Sequence, residues 1–234
     1  MLILFHKNEK IMKTKTTTLL VLLSFLLTSG FRTSSEKAYF TDDSASPDKS
    51  ATFTLVRSDD HVTIFTRWIP ATETRLTRQI KAVFVIDRPI DKIVSVLKDE
   101  KSYPLWMKST KSYYRLKTVN ENQWFAYIQF SIPWPLNNQD CILKYEVHES
   151  SEAHRTEICL VGEPDFLKTY EGVERISHME GSWIITRIDS GKSQVEYYMY
   201  SKQAPKFPTW ITDPLIQKNL LKTMNAFRDI VKNS

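Results

Sequence analysis

Side chains able to do acid–base or metal chemistry are sparse in this chain and do not gather into a motif. Beyond residue 31 there are four histidines, His61, His148, His154 and His178, each at a strand end or turn by local pattern. With Cys141 and Cys159 they give no spacing that suits a tetrahedral metal. No His-Glu-x-x-His or Gly-x-Ser-x-Gly run is present, and Gly191-Lys192-Ser193 lacks the upstream glycine of a phosphate loop, so it reads as a hairpin turn. Arg187 and Glu196 fall on neighbouring strands, where they are either an internal ion pair or an exposed cross-strand pair. No catalytic residue, metal or cofactor is expected from this inventory.

What the chain has in quantity is large aromatic side chains on strands: Trp124, Tyr127, Phe130, Tyr145, Trp183, Tyr197, Tyr198 and Tyr200. Several lie two residues apart, on one face of a strand. They form a packed core, or they line a cavity whose amphipathic walls suit an apolar ligand with a few polar groups.

The elements that must carry them begin at the C-terminal end. Residues 208–232 read as one amphipathic helix, with Asp213 and Pro214 as a favourable start. Ile216, Leu220, Met224, Phe227, Ile230 and Val231 fall on one stripe, and Lys218, Lys222, Asn225, Asp229 and Lys232 on the other side. Upstream, strands are expected over 51–57, 61–68 and 75–87. A helix follows from Pro89 to about Asp99, with a helical turn at Tyr103–Met107. Strands resume over 110–119, 123–132, 140–149, 154–162, 173–178, 182–189 and 193–201, separated by turn residues such as Asn120-Glu121-Asn122. Three strands, a helical insert, a run of strands and a long helix make an α+β fold: a curved antiparallel sheet wrapped around the C-terminal helix. The inward stripe and facing strands then offer Leu220, Met224, Phe227, Trp124, Tyr127, Trp183 and Tyr198 as ligand contacts.

Cys141 and Cys159 sit on consecutive strands joined through Glu149–Ala153. A hairpin centred at residue 150 sets them opposite each other, as a disulfide or as two free thiols.

Composition excludes some classes. Of the 234 residues 41% are hydrophobic and 25% charged, ordinary for a globular protein. The formal charge is +5, but residues 1–30 hold four lysines against one glutamate, leaving about +2 for the remainder; nucleic acid is not an expected partner. Lys13 and Lys15 precede the apolar run Leu19–Leu27, and Thr28, Ser29 and Gly30 follow it, the pattern of a secretory signal cleaved near Gly30. That run is shorter than the ~20 residues of a spanning helix. Met1 and Met12 are both possible starts. Residues 31–50 are a polar leader, and 51–234 make one domain, expected to act as a monomer outside the cytoplasm, in the periplasm or beyond.

Several segments, in order, resemble START (steroidogenic-acute-regulatory-related lipid-transfer) domains. Asp91-Lys92-Ile93-Val94 with Asp99 and Tyr103-Pro104-Leu105-Trp106 is similar to the family's first helical insert. Pro133-Trp134-Pro135-Leu136 followed by Gln139-Asp140 resembles its PWPL…RD segment. Gly181-Ser182-Trp183, Val195–Tyr200 and Pro208-Thr209-Trp210-Ile211 match the run into its last helix. The resemblance spans about 51–232 and implies a helix-grip fold whose cavity holds one lipid or sterol. It also implies a gate beside the helix, here Trp134 and Leu136 with Trp210, able to touch a membrane transiently. Two departures stand out. Gln139 replaces the arginine before Asp140, and the glycine usual at the last strand's exit is missing from Gln203–Pro208. The function implied is binding, and possible transfer, of a lipid or other apolar molecule. The alternative is a cyclase- or aromatase-type enzyme of the wider START-like superfamily, with Tyr127, Asp140 and Arg187 as a polar cavity set.

Overall fold

The computed structural model describes residues 52–132, 137–204 and 209–234. The signal, the leader and the gate residues Trp134 and Leu136 lie outside the described residues. The strands are β1 (Thr54–Ser58), β2 (Val62–Thr72), β3 (Arg75–Ile86), β4 (Thr110–Asn120) and β5 (Gln123–Phe130), then β6 (Asn138–Ser150), β7 (Arg155–Gly162), β8 (Val173–Arg175), β9 (Met179–Asp189) and β10 (Lys192–Ser201). The helices are α1 (Ile90–Lys98), the single turn α2 (Tyr103–Trp106) and α3 (Thr209–Lys232).

Period-two alternation decides which face of each strand is buried. Along β2, Val62, Ile64 and Thr66 are buried while Thr63 and Phe65 are partly exposed; along β10, Ser193, Val195 and Tyr197 are buried while Gln194, Glu196 and Tyr198 are not. The sheet runs β1-β2-β3-β10-β9-β7-β6-β5-β4, with every neighbour antiparallel. Short β8 adds in parallel beside β6. This is the curved antiparallel sheet with a C-terminal helix that the pattern implies. Gly181 of β9 leaves no room for a side chain: a Cβ there would lie 2.4 Å from the Tyr198 carbonyl oxygen of β10.

The inner face closes on α1, α2 and the C-terminal half of α3. Phe227 is wholly buried and sits at the hub, with its ring 5.0 Å from both Trp106 and Trp183 and 6.3 Å from Phe84. Met224 and Val231 are equally buried, but Ile216 is 52% exposed and leaves the expected stripe. The C-terminal half is also tied on several sides. Arg228 Nε donates to the Val85 carbonyl at 3.3 Å, Asn225 donates to Asp59 at 2.7 Å, and Arg88 donates to the Lys232 carbonyl. The helix starts at least one turn before Asp213-Pro214, so Pro214 is inside it. Asp213 ion-pairs with Arg78 of β3 instead of capping the helix.

The hairpin of β6 and β7 is registered differently from the expectation. Cys159 faces Glu146, and Cys141 lies beyond the end of β7 and pairs across to Ile128 on β5. The register is offset by an odd number of residues, so the two thiols also point to opposite faces. Both cysteines are free.

Candidate ligand site

The inner wall is aromatic where β5, β6, β9 and β10 face α2 and α3. Trp124 of β5 and Tyr145 of β6 are cross-strand partners, their rings 4.8 Å apart and 6° from parallel. Trp183 and Tyr197 pair in the same way across β9 and β10, 4.6 Å apart. The α2 turn supplies Tyr103 and Trp106, and Tyr103 stacks on Tyr113 of β4 at 3.8 Å. Trp124, Tyr145, Trp183 and Tyr197 occupy inward positions because each is an even step along its strand from an apolar core residue, as Tyr145 is from Leu143 and Tyr197 from Val195.

Their hydroxyls are kept protonated. Burial, reinforced by the neighbouring tyrosines, pushes Tyr103 and Tyr145 well above the ordinary phenol range. Burial likewise raises Tyr197, and takes Tyr113 to about 12. The inner wall therefore presents neutral rings and neutral O–H and N–H groups at physiological pH.

Of the residues expected to meet a ligand, Trp124, Trp183, Met224 and Phe227 share this interior, and Leu220 packs partly against it. Tyr198 does not. It alternates with the inward Tyr197 and points to the other face, donating to Glu196 at 2.9 Å beside Lys81. Tyr127 also points outward, since Trp124, Ala126 and Ile128 take the inner positions of β5. Its ring stacks on Tyr114 and meets Tyr170 edge-on. Trp210 is 75% exposed.

The polar set Tyr127, Asp140 and Arg187 is not one cluster. Asp140 is on the outer face, 1% exposed, and is held by Arg175 of β8. Arg175 Nε donates to Oδ1 at 2.6 Å and Nη2 to Oδ2 at 3.1 Å, and Nη1 bonds the Leu167 carbonyl at 3.0 Å. Although Gln139 stands where the resembled family has an arginine, Asp140 thus has an arginine partner from 35 residues downstream. The pair pins the β7–β8 connection across the outer face. Arg187 is exposed near the β6–β7 turn and lines a surface cleft of ≈ 820 Å³ with α1. It neighbours Ser193, and Glu196 pairs with Lys81 at 3.1 Å, so the Arg187–Glu196 pair does not form. Among the described residues no group of three His, Cys, Asp or Glu could hold a metal.

Sequence reading passed over Tyr103, Trp106 and Tyr113 as site residues. α2 is a single turn with no periodicity to betray its inward side. Tyr198 carried a usable signal: Glu196 two residues before it marks the outer face of that strand.

No family model matches the sequence. An uncharacterized protein of Pseudomonas aeruginosa is 18% identical over 174 residues, which cover 74% of this chain and 84% of that protein. The crystal structure of a STAR-related lipid transfer protein from Xanthomonas axonopodis superposes with a TM-score of 0.68 at 20% identity. The match covers 77% of this chain and 98% of that one. Human StAR-related lipid transfer protein 5 gives a TM-score of 0.65 at 9% identity, over 80% of this chain and 89% of that one. At such identities the likeness is one of fold.

Proposed function

Starting from the START-like helix-grip fold that the chain adopts, we propose that it binds a lipid or another apolar small molecule between the sheet and α3, and carries it without chemical change. The observation that carries this reading is the asymmetry of α3. Its C-terminal half seals the aromatic interior with Met224, Phe227 and Val231, all fully buried, whereas Leu215 and Ile216 of its N-terminal half are 60% and 52% exposed. A helix serving only as a core element would bury its apolar side chains along its whole length. The uncovered apolar stretch suits a molecule that shares its apolar character. The solved lipid transfer proteins of the same fold support the reading.

Trp210, Leu215 and Ile216 with exposed Lys218 and Lys222 further suit transient contact with a membrane surface during loading, the amphipathic indole favouring the interface. The placement outside the cytoplasm rests on the Leu19–Leu27 run alone.

Native mass spectrometry of the purified mature protein, followed by solvent extraction, tests the reading. The expected result is an apolar molecule bound one to one. A protein that arrives empty and takes up no lipid from mixed vesicles overturns it.

A further inference from the structure

One polar contact fastens the start of α3 to the sheet. Asp213 ion-pairs with Arg78 of β3, and among the described residues no other hydrogen bond, ion pair or ring contact joins residues 210–218 to a strand. Arg78 reaches the helix from the inner face, because it is an even step along β3 from the buried Ala82 and Phe84. Its guanidinium lies 4.4 Å over the ring of Trp68, its cross-strand partner on β2, and its Nε is buried without a partner. The arginine is thus held by a ring on one side and by a single carboxylate on the other.

The pair is a weak fastening. Burial outweighs the pull of Arg78 and lifts the Asp213 carboxyl above its ordinary range, so much of what the pair gains is lost in drying it. Both side chains also keep some contact with water, 32% and 19% exposed, which screens the attraction. The far end of α3 is held quite differently, by the buried Met224, Phe227 and Val231 and by the hydrogen bonds of Arg228, Asn225 and Arg88.

The helix is broken at the same place. Pro214 directly follows Asp213 and lies inside α3, where it has no N–H to give the Trp210 carbonyl one turn back. Its ring also crowds that carbonyl, and interior prolines are a usual cause of helix kinks. The segment Thr209–Asp213 is therefore joined weakly to the rest of α3, and to the sheet by one ion pair. Trp210, within it, is 75% exposed and adds little packing.

Resting on the proposed carrier role, we infer that Arg78 and Asp213 form a latch and that Pro214 is the hinge beside it. Breaking the pair lets the first turn of α3 swing from the sheet, and this step sets how fast ligand enters and leaves. The pair is remade in the empty and the filled protein alike, so it governs the rates of exchange and not the affinity.

The latch and the hinge are tested by changes that act in opposite directions. Uptake of the dye Nile red by the mature protein, and its release to excess methyl-β-cyclodextrin, are followed by stopped-flow fluorescence, with Kd from titration. Asp213→Asn should speed uptake and release together by about two- to fivefold, the worth of a part-exposed ion pair. Arg78→Met, which keeps an apolar stem on Trp68, should do the same. Kd and the thermal melt should stay nearly unchanged, whereas a packing role would weaken affinity or stability. The double variant should be no faster than the quicker single one, because both remove the same contact. Pro214→Ala restores the missing N–H and should slow both rates, which the loss of a merely structural residue would not do. If a change at the pair unfolds the protein, Pro214→Ala carries the comparison alone.

Rates indifferent to the pair, or not slowed by Pro214→Ala, overturn the inference and leave the carrier reading standing. A weaker Kd with unchanged uptake puts the pair among the ligand's own contacts and also overturns it. If the dye does not bind, loss of the co-purifying molecule to cyclodextrin, read by native mass spectrometry, replaces it under the same criteria. A protein that binds no dye and carries no apolar molecule overturns the carrier reading itself, and the inference with it.

Discussion

Asp140 is a carboxylate with almost no access to water, and a charge in that position must be compensated by its neighbours. Arg175 compensates it with two hydrogen bonds and donates further to the Leu167, Pro164 and Lys168 carbonyls. Replacing the pair by matched apolar groups would be nearly neutral, but removing one partner strands the other. Arg175→Met should therefore cost about 3–5 kcal/mol in urea denaturation. Arg175→Lys should recover only part of this, since an ammonium cannot reproduce the bidentate fork. The double change Arg175→Met with Asp140→Leu should be far milder than the single one. A single variant within 1 kcal/mol of wild type would mean that the pair is hydrated after all. This contact was not legible in the sequence, because it joins residues 35 apart through β8, a three-residue strand with no periodicity. Asp140 itself stood out, but as a candidate for a cavity that lies on the other face.

At the scale of elements the sequence was far more readable. Turn residues and alternation located the strands along the chain, but not the pairing of β3 with β10, which joins strands more than a hundred residues apart. Register was harder: the β6–β7 hairpin is offset by five residues from a turn-centred guess, so Cys141 faces the core and Cys159 does not. The long helix was read correctly as amphipathic but as uniform, and its two halves differ. Periodicity reports which side of a helix is apolar; whether anything covers that side depends on distant strands. The halves should separate energetically. Phe227→Ala should cost about 3–5 kcal/mol, since Phe227 is fully buried among Trp106, Trp183 and Phe84. Ile216→Ala should stay within about 0.5 kcal/mol of wild type. Amide hydrogen exchange should show the same division, with amides near Leu215–Lys218 opening well before those around Met224–Arg228. Uniform protection along α3 would contradict it.

For the whole molecule, the consequence is a closing helix that is clamped at its C-terminal end and exposes apolar side chains near its start. The hydrogen bonds from Arg228, Asn225 and Arg88 hold the C-terminal half of α3, while the described side chains of its first turns are tied to the sheet by the Arg78–Asp213 ion pair. If ligand passes at that end, the exposed Trp210, Leu215 and Ile216 are the groups that meet the donor membrane, and Lys218 and Lys222 add attraction to anionic lipid. Near such a surface each lysine is worth about 1 kcal/mol, and this is lost as salt screens it. Transfer of a fluorescent lipid between vesicles should then be faster with anionic than with zwitterionic donors and should slow at high salt. Trp210→Ser should slow it several-fold and weaken vesicle binding without moving the melting temperature, because Trp210 is too exposed to contribute to the core. Replacing Lys218 and Lys222 together with Gln should remove the preference for anionic vesicles while leaving the zwitterionic rate unchanged. Transfer that is indifferent to all three residues would place the passage at another edge of the sheet. A drop in melting temperature with Trp210→Ser would instead show that this tryptophan packs against the fold in solution.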